Sequence, residues 1–208
     1  MADDLRVPAL CGERIHRDSS TDSHGTADQQ TAGRQTGMHD GERCMEALRI
    51  IPATLQDATV LFRLMQLYYF EASAWSDEDI LPEGLYDSDY ADVESTLREQ
   101  SHWARLLWLD GKLCGFVLVD DVDFQGRRIQ ELADLFVLPK FRGKGIAAAV
   151  VTALVTPETG QWLLATFRDD LRAHDFWRRN LPKMGMTFEI PVDGADDATF
   201  NRLLIRAL

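Results

Sequence analysis

The run Leu135-Phe136-Val137-Leu138-Pro139-Lys140-Phe141-Arg142-Gly143-Lys144-Gly145-Ile146-Ala147-Ala148-Ala149-Val150 constrains the fold more than any other part of the chain. An apolar strand enters a tight turn holding two glycines and leaves it as a small-residue helix. A helix start leaves its first backbone N–H groups without intrahelical acceptors and lies at the positive end of the helix dipole, a combination that binds phosphate oxygens. Gly143 and Gly145 let an anion approach the main chain with no Cβ in the way. Arg142, Lys144 and Lys140 add side-chain charge. The segment reads as a site for a diphosphate-bearing ligand.

Two other readings fit the same residues. Gly143-Lys144-Gly145-Ile146-Ala147-Ala148 satisfies a loose Gly-x-Gly-x-x-Ala dinucleotide fingerprint. That fingerprint usually opens its domain and has an acidic ribose partner about 20 residues on. Here several strands precede it, and Glu158 is the only acid in the window from Pro157 to Arg168. A strand-to-helix turn with no ligand is the other reading.

The remaining pattern places this turn in a mixed α/β domain. Residues 1–45 are polar and aperiodic, as in RDSSTDSHGTADQQTAGRQTGMHDGER, and are expected to be a disordered extension. A true start of translation at Met38 or Met45 is an alternative for this segment. Residues 46–208 read as one folded domain of alternating elements. A strand over Ala47–Ile51 is followed by a helix capped by Asp57, with Val60, Leu61, Leu64, Leu67 and Tyr68 on one stripe. An acidic loop over Glu71–Asp89 leads to a short second helix through Leu97. Strands over His102–Leu109 and Lys112–Val119 flank Asp110-Gly111, a hairpin signal. A third strand, Arg128–Leu138, precedes the turn and a helix from Gly145 to Val155. A strand at Gln161–Phe167, a helix at Leu171–Arg179 and strands near Thr187–Ile190 and Thr199–Arg206 complete the order β-α-α-β-β-β-α-β-α-β-β.

Composition excludes several classes. No run approaches the ~18 to 20 apolar residues of a membrane span, and the N-terminus lacks the apolar core of a secretory signal. Cys11, Cys44 and Cys114 have no metal-ligand spacing and suit reduced thiols in the cytoplasm. The five histidines show no mutual spacing either, so no metal site is expected. A net charge of −12 argues against nucleic-acid or anionic-membrane partners and mildly favours a cationic one.

Read as Arg-x-x-Gly-x-Ala, residues 142–147 resemble the pyrophosphate-binding motif of the GNAT N-acetyltransferase superfamily, Gln/Arg-x-x-Gly-x-Gly/Ala. The phrase DLFVLPKFRGKGIAAAVV looks like that family's fourth strand, loop and third helix, and DGKLCGFVLV like its second hairpin. Asp170-x-x-Ala173-x-x-Phe176-Trp177 stands where the family carries Asn-x-x-Ala-x-x-Phe-Tyr, as in a poorly characterised Phe-Trp branch. The similarity covers roughly residues 46–208. It implies the GNAT fold and an enzyme that moves an acetyl group from acetyl-CoA to a primary amine, of a small molecule or of a protein, by direct attack in a ternary complex. A non-catalytic acyl-CoA-binding module with the same fold is the alternative. Dimers are common in the superfamily, so a homodimer is compatible with the resemblance.

The resemblance also implies residue roles. The amides of Gly143, Lys144, Gly145, Ile146, Ala147 and Ala148, with Arg142 opening the motif, would hold the pyrophosphate. The backbone of Leu135, Phe136 and Val137 would run beside the pantetheine arm as an added edge, and the Val137 amide would polarise the thioester carbonyl. An alkyl ammonium with a pKa near ~10 must lose a proton before it attacks. Glu131, near the basic glutamate of histone-acetylating relatives, and Asp134 are the candidate bases. Three residues apart on a strand, they are expected to point to opposite faces. Trp177 replaces the family's usual acid, and an indole N–H does not titrate usefully. Water, Tyr68, Tyr86 or Tyr90 would then protonate the thiolate, or it would leave unassisted. Asp170, in place of Asn, is expected to turn away or pair with Arg168 or Arg172. Tyr68 and Trp75, among the aromatics and carboxylates of residues 67–90, are the candidate acceptor-binding residues for an ammonium, with a core stripe and solvated acidic loop as the plain reading.

Overall fold

The computed structural model describes residues 5–7, 48–86, 89–191 and 199–208. The strands are β1 (Leu5–Val7), β2 (Leu48–Pro52), β3 (Ala104–Leu109), β4 (Lys112–Phe124), β5 (Arg127–Val137), β6 (Gln161–Phe167), β7 (Met186–Glu189) and β8 (Phe200–Ala207). The helices are α1 (Ala58–Ala72), α2 (Tyr90–Glu99), α3 (Ile146–Leu154) and α4 (Leu171–Asn180). From β2 onward the order is the expected one. Within the expected N-terminal extension, Leu5–Val7 pairs antiparallel with β2; residues 8–47 lie outside the described residues.

The sheet runs β1-β2-β3-β4-β5-β6-β8-β7. All neighbours are antiparallel except β5 and β6, whose parallel pairing makes the sheet mixed. Asp110 and Gly111 both take positive φ, 51° and 70°, as a two-residue type I′ hairpin requires. Gln125 and Gly126 repeat the device at 52° and 74° between β4 and β5.

Helices cover both faces. Leu61, Leu64 and Met65 of α1 and Val93 and Leu97 of α2 bury against Leu106, Phe116, Leu118 and Phe136. Ile146, Val150 and Leu154 of α3 and Trp177 of α4 bury against Val117, Val119, Leu132 and Leu164 on the other side. Two expectations for α1 are corrected. Val60 and Leu67 are exposed, because the buried stripe runs through Leu61, Leu64, Met65 and Ala72. Asp57 does not cap α1 with its own carboxylate. Oδ2 turns back to accept from the Thr54 N–H at 2.8 Å and the Thr54 hydroxyl at 2.7 Å.

Candidate active site

The parallel pairing of β5 with β6 spans only Gln130–Leu132 against Trp162–Leu164. Beyond that point the strands part. The gap opens into a cleft of about 960 Å³, within the usual range for small-molecule sites. Its walls come from the second half of β5, the end of β6, the start of α3, the end of α1, one face of α4 and the start of β8.

Main-chain groups of β5 are available to this gap. The Leu138 amide donates to the Cys114 carbonyl at 2.8 Å, toward β4. Peptide groups alternate along an antiparallel strand, so Val137 faces away from β4. Accordingly its carbonyl accepts from Arg142 Nε at 2.7 Å. The first bond within α3 runs from the Ala149 N–H to the Gly145 carbonyl at 3.0 Å, which leaves the amides of Ile146, Ala147 and Ala148 without an intrahelical acceptor. Gly143 and Gly145 hold φ of 75° and 76°, and a Cβ at either would project into open space. Thr166 on β6 adds a buried Oγ1 at the cleft wall with no hydrogen-bond partner. Helix-start amides without intrahelical acceptors, small residues and an unpartnered hydroxyl fit a phosphate-bearing donor with a polar arm.

The two candidate bases share a face, contrary to the simple alternation expected of them. Asp134 is opposite Leu118 and Leu132 is opposite Val119, so Ala133 is an extra residue, a β-bulge. The bulge resets the alternation and puts Glu131, Asp134 and Phe136 on the α1–α2 side. Leu132, Leu135 and Val137 pack toward α3 and α4. Both carboxylates line the cleft.

Their environments differ. Burial, against a hydrogen bond from Tyr68 and with Asp120 and Glu78 nearby, pushes the Asp134 carboxyl up to about 6. Burial and the charges of Asp120 and Asp134 also raise Glu131, with Arg202 opposing them. Burial and Asp134 together push the Tyr68 hydroxyl far above the usual tyrosine range. Asp120 is the cross-strand partner of Glu131 and is itself raised by burial, against a hydrogen bond from Trp103.

A family model described as Acetyltransferase (GNAT) family matches residues 61–181. The chain belongs to the GNAT acetyltransferase family. Among solved structures, an acetyltransferase from Thermus thermophilus is similar at 19% identity and a TM-score of 0.54, over 77% of this chain and 97% of that one. A GNAT-family acetyltransferase from Streptococcus agalactiae is similar at 14% identity and a TM-score of 0.59, over 79% and 97%. Ard1 from Thermoplasma volcanium is similar at 16% identity and a TM-score of 0.51, over 77% and 98%. No functionally curated protein matches. At these identities the structures support the GNAT fold alone.

Of the residues singled out from sequence, Tyr68, Trp75, Glu131, Asp134, Leu135, Phe136, Val137, Arg142, Gly143, Gly145, Ile146, Ala147 and Ala148 line the cleft of this GNAT domain. Lys144 does not. Its Nζ lies 5.4 Å from the centroid of Phe141, with Lys140 Nζ at 6.0 Å. Arg142 is engaged inward, Nη2 meeting Glu71 Oε2 at 2.6 Å and the guanidinium lying 5.7 Å from the Phe136 ring. Trp177 lines the cleft and is buried in the core, edge-on to Phe176 at 4.9 Å. Asp170 neither turns away nor takes an arginine. Oδ1 accepts from the Ala173 N–H at 3.0 Å and caps α4, while the residue still lines the cleft. Tyr86 and Tyr90 lie outside the lining, near Ser73 and Thr59. Glu71 and Glu78, of the acidic segment expected to frame an acceptor, line the cleft, whereas Asp120, Thr166 and Arg202 carry no signal singled out in the sequence. Asp120 was within reach: the two-residue Gln125-Gly126 turn fixes the register that sets it opposite Glu131. Glu71 and Arg142 are too far apart in the chain for any local signal.

Proposed function

We propose that this protein is an acetyl-CoA-dependent N-acetyltransferase whose acceptor is a primary amine, first of a small or amino-acid-like molecule, then of a protein. The observation that carries the proposal is the parting of β5 and β6 beyond Leu132 and Leu164, because three kinds of group meet in that gap. The amides at the α3 start, with Arg142, Gly143 and Gly145, suit the donor's pyrophosphate. The outward edge of β5 at Leu135–Val137 suits the pantetheine arm, and the Val137 amide the thioester oxygen. Glu131 and Asp134, on the α1–α2 side, suit removal of a proton from an ammonium. Tyr68, Tyr69 and Trp75, with Glu78, frame the place where that ammonium would sit.

The domain would comprise residues 46–208 and work in the cytoplasm without nucleic-acid or membrane partners, alone or as a homodimer. Among the described residues, no helix is long and apolar enough to cross a membrane. The test is release of free thiol from acetyl-CoA in the presence of a panel of primary amines, with the product weighed by mass spectrometry. Amine-dependent thiol release with an acetylated product is the expected result. Donor binding with no thiol release for any amine would overturn it in favour of a non-catalytic acyl-CoA-binding module.

A further inference from the structure

We infer that Thr166 holds the departing sulfur of the donor: its hydroxyl donates a hydrogen bond to the thiolate as the thioester's C–S bond breaks. The inference rests on the N-acetyltransferase reading and adds a catalytic residue to it.

Among the described residues Thr166 is the one buried polar residue, 8% exposed. Its Oγ1 is shut from bulk solvent and has no hydrogen-bond partner. The residue nevertheless lines the cleft. A buried hydroxyl without a partner has lost its hydration and gained no bond in exchange. Folded proteins keep few such groups, and one at the wall of a ligand cleft is placed for the ligand to complete.

The strand fixes where this hydroxyl acts. Trp162, Leu164 and Thr166 alternate onto one face of β6, and the first two pack in the core formed with α3 and α4. β8 holds the far edge of β6 at this level, with Asn201 opposite Thr166. The near edge has no pairing with β5, which ends at Leu132 and Leu164. Thr166 thus stands two residues past the fork, on the side of the sheet where Leu135 and Val137 also pack. A donor with its phosphates at the α3 start has them at the wide end of the fork, and its thioester end points toward the narrow one. The two walls then divide the thioester, the Val137 N–H serving its oxygen and Thr166 its sulfur. Tyr68 and Tyr69, the other hydroxyls of the lining, belong to α1 on the opposite face. No hydroxyl comes from α4, whose lining residues are Arg172, Ala173, Phe176, Trp177 and Asn180.

The step balances without moving the threonine proton. The lone pair of the deprotonated amine forms a bond to the thioester carbon, and the carbonyl π electrons move to oxygen. Their return breaks the C–S bond, and that electron pair stays on sulfur. The nitrogen releases its extra proton to solvent, which leaves an amide and the CoA thiolate. Thr166 keeps its O–H bond throughout, because a thiol ionising near ~8.5 is a far stronger acid than an aliphatic hydroxyl. It supplies a charge-assisted hydrogen bond, stronger to the thiolate than to the weakly accepting thioester sulfur. The contact therefore favours the transition state over the bound donor.

The test compares the full chain with Thr166→Val, which keeps the shape and removes the hydroxyl, and with Thr166→Ser, which keeps the hydroxyl. Each is titrated calorimetrically with CoA and with desulfo-CoA, in which hydrogen replaces the thiol, at a pH of about 9 where the thiol ionises. Thr166→Val should bind CoA roughly tenfold more weakly and desulfo-CoA as the wild type does. Thr166→Ser should match the wild type for both. With the fastest amine of the panel, Thr166→Val should lose roughly tenfold or more in kcat at nearly unchanged KM for acetyl-CoA. Its Tm without ligand should equal or exceed that of the wild type, since no hydrogen bond within the protein is removed. Equal weakening toward both ligands, wild-type CoA affinity with wild-type kcat, or a much lower Tm would each overturn the assignment of Thr166 to sulfur. If CoA fails to bind the wild type, the N-acetyltransferase reading falls and the inference with it. If the CoA pattern holds and no amine turns over, that reading falls while the sulfur contact stands.

Discussion

At the scale of single residues, the role proposed for Asp134 runs against stability. An unfolded aspartate titrates near ~3.9, and in the fold this one is pushed up to about 6. The folded state therefore holds the proton more tightly. Asp134 favours folding at a pH below about 4, and that contribution is lost as the pH rises through about 6, where the buried charge costs up to ~3 kcal/mol. Asp134→Asn should accordingly raise Tm at pH 8 by several degrees and leave it nearly unchanged at pH 4, while slowing catalysis. Thermal unfolding at the two pH values checks the sign; destabilisation at pH 8 would contradict it. The identity of both carboxylates was legible in the sequence, but their shared face was not. An extra residue in a strand leaves no mark in composition, and counting by twos across Ala133 gives the wrong side. Asp170 departs from expectation for a different reason. Its position before a helix is an N-cap pattern, and its carboxylate accepts from the Ala173 N–H at the start of α4.

At the scale of elements, the turn between β5 and α3 and the contact between β4 and β5 make separate demands on glycine. Gly143 and Gly145 need positive φ but have room, so Gly143→Glu or Gly145→Glu should strain the backbone by about 1 to 2 kcal/mol, leave the fold intact and abolish acetyl-CoA binding. Calorimetric titration of each variant with acetyl-CoA measures this, and wild-type affinity in either would displace the proposed site. Gly115 is the reverse case. A Cβ there would lie 2.0 Å from the Phe136 carbonyl oxygen, a backbone atom that cannot swing aside. Gly115→Ala should cost about 3 kcal/mol or more, read as a lower urea midpoint. The elements themselves were legible because turn chemistry and strand periodicity agreed, as in the Asp110-Gly111 hairpin. The stripe of α1 was only partly legible because Val60 and Leu67 are apolar residues left at the surface, where side-chain type alone says little.

At the scale of the whole molecule, the sheet order separates the cleft from the N-terminal edge. β2, β3 and β4 lie between β1 and β5, and the cleft opens on the far side of β5. A chain starting at Met45 should therefore keep its response to acetyl-CoA even if it loses some stability with β1. A truncated chain that folds and no longer responds would show that residues 1–44 contribute to the site. The GNAT fold was legible as a whole because the donor-side motif and the element order pointed to one architecture. The acceptor was not, because the residues that frame it come from α1, the loop after it, β5 and β8, and are brought together only by the tertiary fold.

The central claim is that this cleft holds acetyl-CoA. Thermal unfolding with and without acetyl-CoA, with NAD and ATP as controls, tests it most directly. At about 100 times its dissociation constant the donor should add roughly 2.7 kcal/mol of stability, seen as a clear rise in Tm with acetyl-CoA and not with NAD. No rise with acetyl-CoA, or a rise with NAD alone, would contradict the account.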